Sequence, residues 1–397
     1  MTTEQPLVSI VMPTRNRSHL LRYALESALS QKDVDGLEIV VSDNCSRDDT
    51  SEYVSSIGDP RVRLVRPPHS LSMSSHWEFA FDQAKGEFVT FLCDDDSMCS
   101  DAIAEALAVL RDTQLPLVVK GGVQYCGSTA PDVVRRNSLA VPGYTNKVKV
   151  LKSQDTVREL RSPRCKMELP LMLNSLCRRD VCLRAREKAG RLFVRAPDYC
   201  FALTTLAMID EWCVLDKPLR LMGAFSESIG IAQIQNRGTA AQTFLAEHRK
   251  EEIQPLMPLD LNIVTNIVAN TFRDVKSRIS ANLTDYDVDL VEYYAGCWED
   301  LLRLKDHGVD VSADTQTYAT ALAAESADLR KAVLRRNCSL KGRSWRFMRN
   351  VAYRSRLLFK LGMLATMRGW AYWGDQCGFA DILGATGFLE TLRTRSS

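Results

Sequence analysis

The chain has 397 residues, 45% hydrophobic and 25% charged, which suffices for two domains with buried cores and excludes a chain dominated by disorder. A formal net charge of +2 provides no global field for nucleic acid, so any basic surface must be local. Twelve cysteines without a C-x-x-C pair fit reduced thiols better than a disulfide framework or zinc site, and neither the acidic start MTTEQPLVSIVMP nor any apolar stretch suits a signal peptide or membrane span, so a cytoplasmic protein is expected.

Leu7 to Met12 reads as an apolar strand ending in PTRNR, and Ser18 stands where it would cap a helix whose apolar positions Leu21, Leu25, Ala28 and Leu29 recur at helical spacing. Leu37 to Val41 is a second strand, running into SDNCSRDDT, and Thr50 to Ile57 a short helix. Arg61 to Val65 is a third strand, and Met73 to Ala84 a helix with Trp77, Ala80 and Phe81 turned inward. Phe88 to Leu92 is a fourth strand, which breaks after Cys93 into Asp94, Asp95 and Asp96. Asp101 to Arg111 is a helix and Leu115 to Val119 another strand. Strands separated by helices imply parallel crossovers and a doubly wound, mainly parallel α/β sheet. The loops PTRNR, SDNCS and DDDS then share one rim, at the carboxyl ends of the strands where such sheets bind ligands.

Three adjacent carboxylates repel one another unless a cation or hydrogen bonds compensate. Hard oxygen ligands suit Mg²⁺ or Mn²⁺ carried with substrate phosphates. The plainer alternative is a solvated turn that also caps the helix starting at Ala102. The first strand turn has neither G-x-G-x-x-G nor a Walker lysine loop, which disfavours a Rossmann dehydrogenase and removes the P-loop ATPases.

VSIVMPTRNRSHLLRYALESALSQ, LEIVVSDNCSRDDT and GEFVTFLCDDD, in that order, resemble the successive motifs of family 2 glycosyltransferases with the GT-A fold. The resemblance is close over residues 1 to about 125 and holds in outline to about 230. It implies a GT-A domain over 1–232 and an inverting, metal-dependent transfer of one sugar. The donor is a UDP- or dTDP-sugar and the acceptor a glycan or lipid-linked glycan in surface polysaccharide assembly.

By the same resemblance Pro13, Thr14, Asn16 and Arg17 lie against the nucleotide base and ribose. Asp43, with Asn44 beside it, accepts the base N3–H, an assignment that suits an acceptor-only carboxylate. The plainer role of Asp43 is an Asx turn with Ser46, and that of Arg17 a solvated charge at a helix entry. Set on Phe91 and Leu92, the family pattern F-L-D-x-D-D puts Cys93 where its first aspartate stands, a departure. Asp95 then becomes the ligand of Mn²⁺ or Mg²⁺, with Asp96 beside it, and Asp94 takes the ribose or a supporting role. A shift of one residue makes Asp94 and Asp96 the pair instead.

His76, in SLSMSSHWEFAFDQAKGEF, takes the place often held by asparagine beside the sugar diphosphate, where Ser72, Ser74 and Ser75 open a helix N-terminus. Its plainer role is a helix residue bonded to a neighbouring loop. Trp77 reads as core rather than sugar platform. From Gly121 to about Lys166 the pattern weakens, as an acceptor loop would. Asp198 in APDYCFA matches the base that takes the acceptor proton. Its plainer role is an N-cap after Pro197, and Asp210, Glu211 and Glu227 are fall-back bases.

Beyond about residue 233 helical periodicity takes over, in Leu259–Ile279, Val288–Asp306, Ala313–Arg336, Trp345–Met367 and Ala380–Arg393, and a helical domain over 233–397 is expected. Gln233 to Arg237 reads QIQNR, not the Q-x-x-R-W of processive synthases. Arg330 to Gly374 carries twelve Lys or Arg and no Asp or Glu, interleaved with seven aromatic residues including Trp345, Trp370 and Trp373. This pattern fits peripheral attachment to an anionic membrane on its inner face, with packing within the protein or a homo-oligomer as equal alternatives and nucleic acid disfavoured. Two other functions compete with sugar transfer. A sugar-1-phosphate nucleotidyltransferase would open with G-x-G-T-R rather than PTRNR. A catalytically silent sugar-nucleotide-binding subunit is consistent with Cys93.

Overall fold

The structure, a computed structural model, describes residues 5–130, 132–163, 169–194, 196–228, 255–279, 283, 285–306, 308–338 and 355–395. Its first part follows the expected alternation: β1 (Val8–Thr14), α1 (Ser18–Leu29), β2 (Leu37–Asp43), α2 (Thr50–Ser56), β3 (Val62–Val65), α3 (Met73–Asp82), β4 (Phe88–Phe91), β5 (Ser97–Met98), α4 (Ala102–Thr113) and β6 (Leu117–Cys126). Then come β7 (Ser138–Val141), β8 (Val148–Lys152), α5 (Ser153–Leu160), β9 (Ser175–Arg178), α6 (Arg179–Ala189), α7 (Pro197–Leu206) and β10 (Glu211–Ala224).

The sheet is doubly wound because its central strands are apolar on both faces. In β1, Val8, Ile10 and Met12 meet Leu21, Leu25 and Ile103 on one side, while Val11 meets Trp77 and Phe81 on the other. The strand order begins β3-β2-β1-β4, all parallel, and continues β9-β6-β7. β9 runs antiparallel to both β4 and β6, so β6 keeps the direction of β4. The mainly parallel α/β sheet is as expected, with β9 inserted antiparallel and β5, β7 and β8 also antiparallel to their neighbours β10 and β6. Ser18 departs from its expected capping role: it lies inside α1, its hydroxyl donating to Asp49 and its N–H to Asp48 at 2.9 Å.

The later helices α8 (Val264–Arg278), α9 (Leu290–Asp306), α10 (Ser312–Ala324) and α11 (Ala327–Asn337) extend the core on the α3 and α7 face, where Phe272, Tyr293 and Leu301 join the cluster of Phe193 and Phe201. The single helix expected over Ala313–Arg336 is two, because the Ser326 hydroxyl accepts from Leu329 N–H at 3.2 Å and starts a new one. After residue 354 come α12 (Arg356–Met367), β11 (Trp370–Trp373), α13 (Gly374–Cys377) and α14 (Ile382–Arg395).

The described elements beyond residue 255 are helical as expected, apart from one short strand. β11 joins the sheet antiparallel to β7, its Ala371 and Trp373 buried in period-two alternation. α14 lays Ile382, Ala385 and Leu389 against Tyr125, Leu139 and Leu221, and Arg393 reaches Asp101 at 3.0 Å. Gln233–Arg237 and residues 345–354 of an expected helix lie outside the described residues. The eleven described cysteines are all free, and no described helix is long and apolar enough to cross a membrane.

Candidate active site

β1 and β4 are parallel neighbours with Val11 beside Phe91, so Thr14 and Asp94, three residues beyond each, meet at the rim. The Thr14 hydroxyl donates to Asp94 Oδ2 at 2.8 Å and Arg17 Nη1 to Oδ1 at 3.0 Å. Arg17 is therefore no solvated charge. Burial works against its cationic form, but Asp94 and Asp95 outweigh it and raise its pKa above the usual guanidinium value. Its other arm donates to the Glu227 carbonyl at 2.5 Å, tying the first loop to the one after β10.

β2 brings Asp43 alongside Thr14. Asp43 is wholly buried, and its Oδ1 accepts from Ser46 N–H at 2.8 Å, so the Asx turn exists. Its Oδ2 has no hydrogen-bond partner; Arg66 Nε stands 3.6 Å away. One carboxylate thus closes the turn and still presents an acceptor. Asn44 clamps Leu71 through both backbone groups, at 2.8 and 2.9 Å. Asn16, at φ 55°, holds Ser46 Oγ and Arg47 N–H at 2.8 and 2.7 Å, and Pro13 is buried in β1. Both asparagines brace the loops. His76 is 4% exposed with Nε2 against Ser42 Oγ at 2.9 Å. Burial and Arg15 push its pKa down to about 4, so it is a neutral helix residue bonded to β2, the plainer of its two roles. Trp77 is core, 5.2 Å from Phe91 and 5.5 Å from Phe193 between ring centroids.

The three consecutive carboxylates part company. Asp94 goes to Thr14 and Arg17, whereas Asp95 Oδ2 accepts from Ser228 Oγ at 2.5 Å. Asp96 uses one oxygen for Arg220 Nη1 at 3.2 Å and the other for Gly223 N–H at 2.9 Å. Asp94 and Asp96 are buried, which removes the solvated-turn alternative, and Asp95 is half-buried. Both oxygens of Asp96 are engaged by β10, which leaves Asp95 the less engaged of the two residues expected to hold the metal. Among the described residues only Cys99, Asp101 and Glu390 bring three ligand atoms within 4.8 Å, and Arg393 and Ser100 N–H already engage the two carboxylates.

Gly223 allows this approach, since a Cβ there would lie 1.7 Å from the Asp95 carbonyl oxygen. Gly223→Ala is expected to lower stability by about 1–3 kcal/mol through forced backbone movement. An unchanged urea midpoint would remove this role from Gly223.

α7 begins with Pro197, and its N-cap position is Ala196, without a side-chain cap, so Asp198 is not the N-cap. Asp198 accepts from Leu173 N–H, and its Oδ1 is buried with no hydrogen-bond partner among the described residues. Arg220, which also holds the Leu173 carbonyl at 3.1 Å, lies where its charge acts on both Asp96 and Asp198. Burial pushes the Asp198 pKa up to about 6 against the restraint of Arg220. Asp95 and Asp96 are raised as well, first by burial and then by neighbouring carboxylates. The Glu227 carboxylate accepts from Ser226 and Thr129 at 2.7 and 3.3 Å. Asp210 and Glu211 are exposed at the opposite end of β10 from Gly223, away from the rim. Arg220, Gly223 and Ser228 escaped the sequence analysis; only Glu227, expected as a fall-back base, lay near Ser228 in sequence.

Four carboxylates, Asp94, Asp95, Asp96 and Asp198, thus face two guanidiniums, Arg17 and Arg220. Among the described residues, two are neutralised by ion pairs and two, Asp95 and Asp198, are not. A formal excess of two negative charges on hard oxygens suits a divalent cation.

Sheet and rim define a doubly wound α/β protein with a carboxylate-rich site at the carboxyl ends of its parallel strands. Residues 9–165 match the model of Glycosyl transferase family 2. The chain is 39% identical over 102 residues to the GalNAc(5)-diNAcBac-PP-undecaprenol beta-1,3-glucosyltransferase of Campylobacter jejuni, which covers 25% of this chain and 33% of the relative. It is 25% identical over 133 residues to the UDP-Glc:alpha-D-GlcNAc-diphosphoundecaprenol beta-1,3-glucosyltransferase WfgD of Escherichia coli, covering 34% and 49%. The matches therefore span a third to a half of these relatives' lengths. The crystal structure of S. aureus TarS 1-349 in complex with UDP-GlcNAc aligns with a TM-score of 0.48 and 16% identity, over 98% of this chain and 92% of that one.

Proposed function

We propose that this protein is an inverting glycosyltransferase that moves one sugar from a UDP- or dTDP-sugar to a lipid-linked glycan acceptor in surface polysaccharide assembly. The observation that carries the proposal is the rim around β4, where Asp95 and Asp198 are left without an ion-pair partner among the described residues. The names of the two bacterial relatives, both glucosyltransferases with diphosphoundecaprenol-linked acceptors, support the substrate class.

Asp95 would hold Mn²⁺ or Mg²⁺, which when bound neutralises the departing nucleoside diphosphate. The remaining steps belong to the chain. Asp43 Oδ2 accepts the N3–H of uracil or thymine, a hydrogen that cytosine lacks. Arg17, fixed by Asp94 and the Glu227 carbonyl, holds the first loop closed against the rim. Asp198 Oδ1 takes the acceptor hydroxyl proton as the new glycosidic C–O bond forms and the sugar–phosphate C–O bond breaks. A base with a pKa of about 6 is ionised at neutral pH and still basic enough to serve.

The test is release of UDP from a panel of sugar nucleotides with Mn²⁺, in the wild type and in Asp43→Asn. The amide keeps an oxygen for Ser46 N–H and turns an N–H toward the base, which pairs with N3 of cytosine rather than of uracil. UDP binding is expected to weaken about 10–100-fold, from loss of a charge-assisted hydrogen bond, and the preference to move toward CDP. Unchanged discrimination would refute the role of Asp43. Pyrophosphate formed from a nucleoside triphosphate would point to a nucleotidyltransferase, and no release from any donor to a silent subunit.

A further inference from the structure

α12 presents an uncovered apolar stripe. Leu357, Leu361 and Leu364, spaced to share one helix face, are 65%, 52% and 51% exposed, and Trp370 just beyond is 40% exposed. The opposite side of α12 is committed, with Phe359 and Met363 buried against Ala371 and Trp373. Around the stripe basic residues predominate, with Arg356 paired to Asp375 at 2.6 Å. Arg356, Lys360 and Arg368 flank it, within a span from Arg330 to Gly374 that contains twelve basic residues and no acidic one.

We propose that α12 and Trp370 dock on an anionic phospholipid surface, the leucines entering the acyl boundary and the basic side chains meeting the head groups. Charge selects this occupant over two others. A second copy related by a two-fold axis would set the same basic patch against itself. The chain's own segment 339–354 carries five Lys or Arg and no acid, so it is like-charged too. An anionic bilayer satisfies both the leucines and the cations.

The inference rests on, and deepens, the reading of a lipid-linked acceptor. Gly223 of the rim pairs with Tyr125, Tyr125 with Leu139, and Leu139 with Tyr372 of β11. Three strand spacings, about 14 Å, therefore separate the rim from the strand that carries α12. A lipid-anchored acceptor at the proposed surface would have to span that separation to reach the rim.

The test is flotation of the full chain with vesicles of phosphatidylcholine alone or mixed with phosphatidylglycerol. Binding is expected only to the mixed vesicles and is expected to weaken as salt rises. Leu357→Gln/Leu361→Gln/Leu364→Gln should lower partitioning at least about tenfold with an unchanged unfolding midpoint, because the three side chains are already exposed. Arg368→Gln should lower it about fivefold. Equal binding to neutral vesicles, undiminished binding by the triple variant, or failure to float would each overturn the proposal. A concentration-dependent dimer that the triple variant dissolves, without flotation, would assign the face to a second copy. Flotation is read without donor or turnover, so a chain that floats but releases no UDP sinks the enzymatic reading alone.

Discussion

Asp198→Asn is expected to cut sugar transfer by about 10²–10⁴-fold, the usual contribution of a positioned base, while UDP and donor still bind. The amide is isosteric and can still accept from Leu173 N–H, so the fold should persist. What it cannot do is take the acceptor proton. In the wild type the sign of the pH effect follows from the raised pKa. Below about 6 Asp198 is protonated and idle, and the rate climbs as pH rises through that value. Arg220 restrains the rise in pKa, so Arg220→Gln should move the ascending limb to higher pH, which a kcat/KM profile reads directly. Normal turnover by Asp198→Asn would transfer the role to Glu227, whose loop adjoins the rim. Asp210 and Glu211 are excluded by their place at the other end of β10.

What the sequence made legible is what local pattern controls. Apolar runs and helical spacing placed β1 to β4 and the helices between them, and with parallel crossovers they brought PTRNR, SDNCS and DDDS to one edge. The contact of Thr14 with Asp94 is the direct result. Direction and long-range partners were not written in that pattern. The antiparallel insertion of Ser175–Arg178 between β4 and β6 depends on its neighbours. The division of labour within the triplet was hidden for a related reason. It is decided by Arg220, Gly223 and Ser228, more than a hundred residues away in sequence, as the separations of 124, 127 and 133 show. Asp96 looked equivalent to Asp95 until β10 occupied both its oxygens. The aromatic strand WAYW was likewise obscured by the basic helical run around it, although its alternation is plain once β7 offers an edge. One consequence concerns truncation: removing the chain after residue 342 would strip β11 and α14 from the sheet, so such a variant reports on folding rather than on membrane attachment.

Asp95→Asn and Asp96→Asn should separate ion binding from folding, although the two residues are adjacent. In the wild type, Mn²⁺ with UDP at about a hundredfold excess over Kd should stabilise the fold by about 2.7 kcal/mol, and thermal unfolding reads this as a raised Tm. Asp95→Asn should abolish that response. Without metal, however, the same variant should unfold no earlier than the wild type. Its amide keeps an acceptor for Ser228, and the substitution removes a half-buried charge that lies beside Asp94 and Asp96. Asp96→Asn should behave in the opposite way, losing about 3–5 kcal/mol of stability even without metal, because buried Arg220 is left with a neutral partner. Ser228→Ala tests the support of the ligand: metal affinity should fall about 10–100-fold, the usual cost of removing a hydrogen bond to a ligating carboxylate. If instead Asp96→Asn alone loses the metal response at unchanged stability, the ion belongs to Asp94 and Asp96, and the pairing of Asp96 with Arg220 must open when the nucleotide binds.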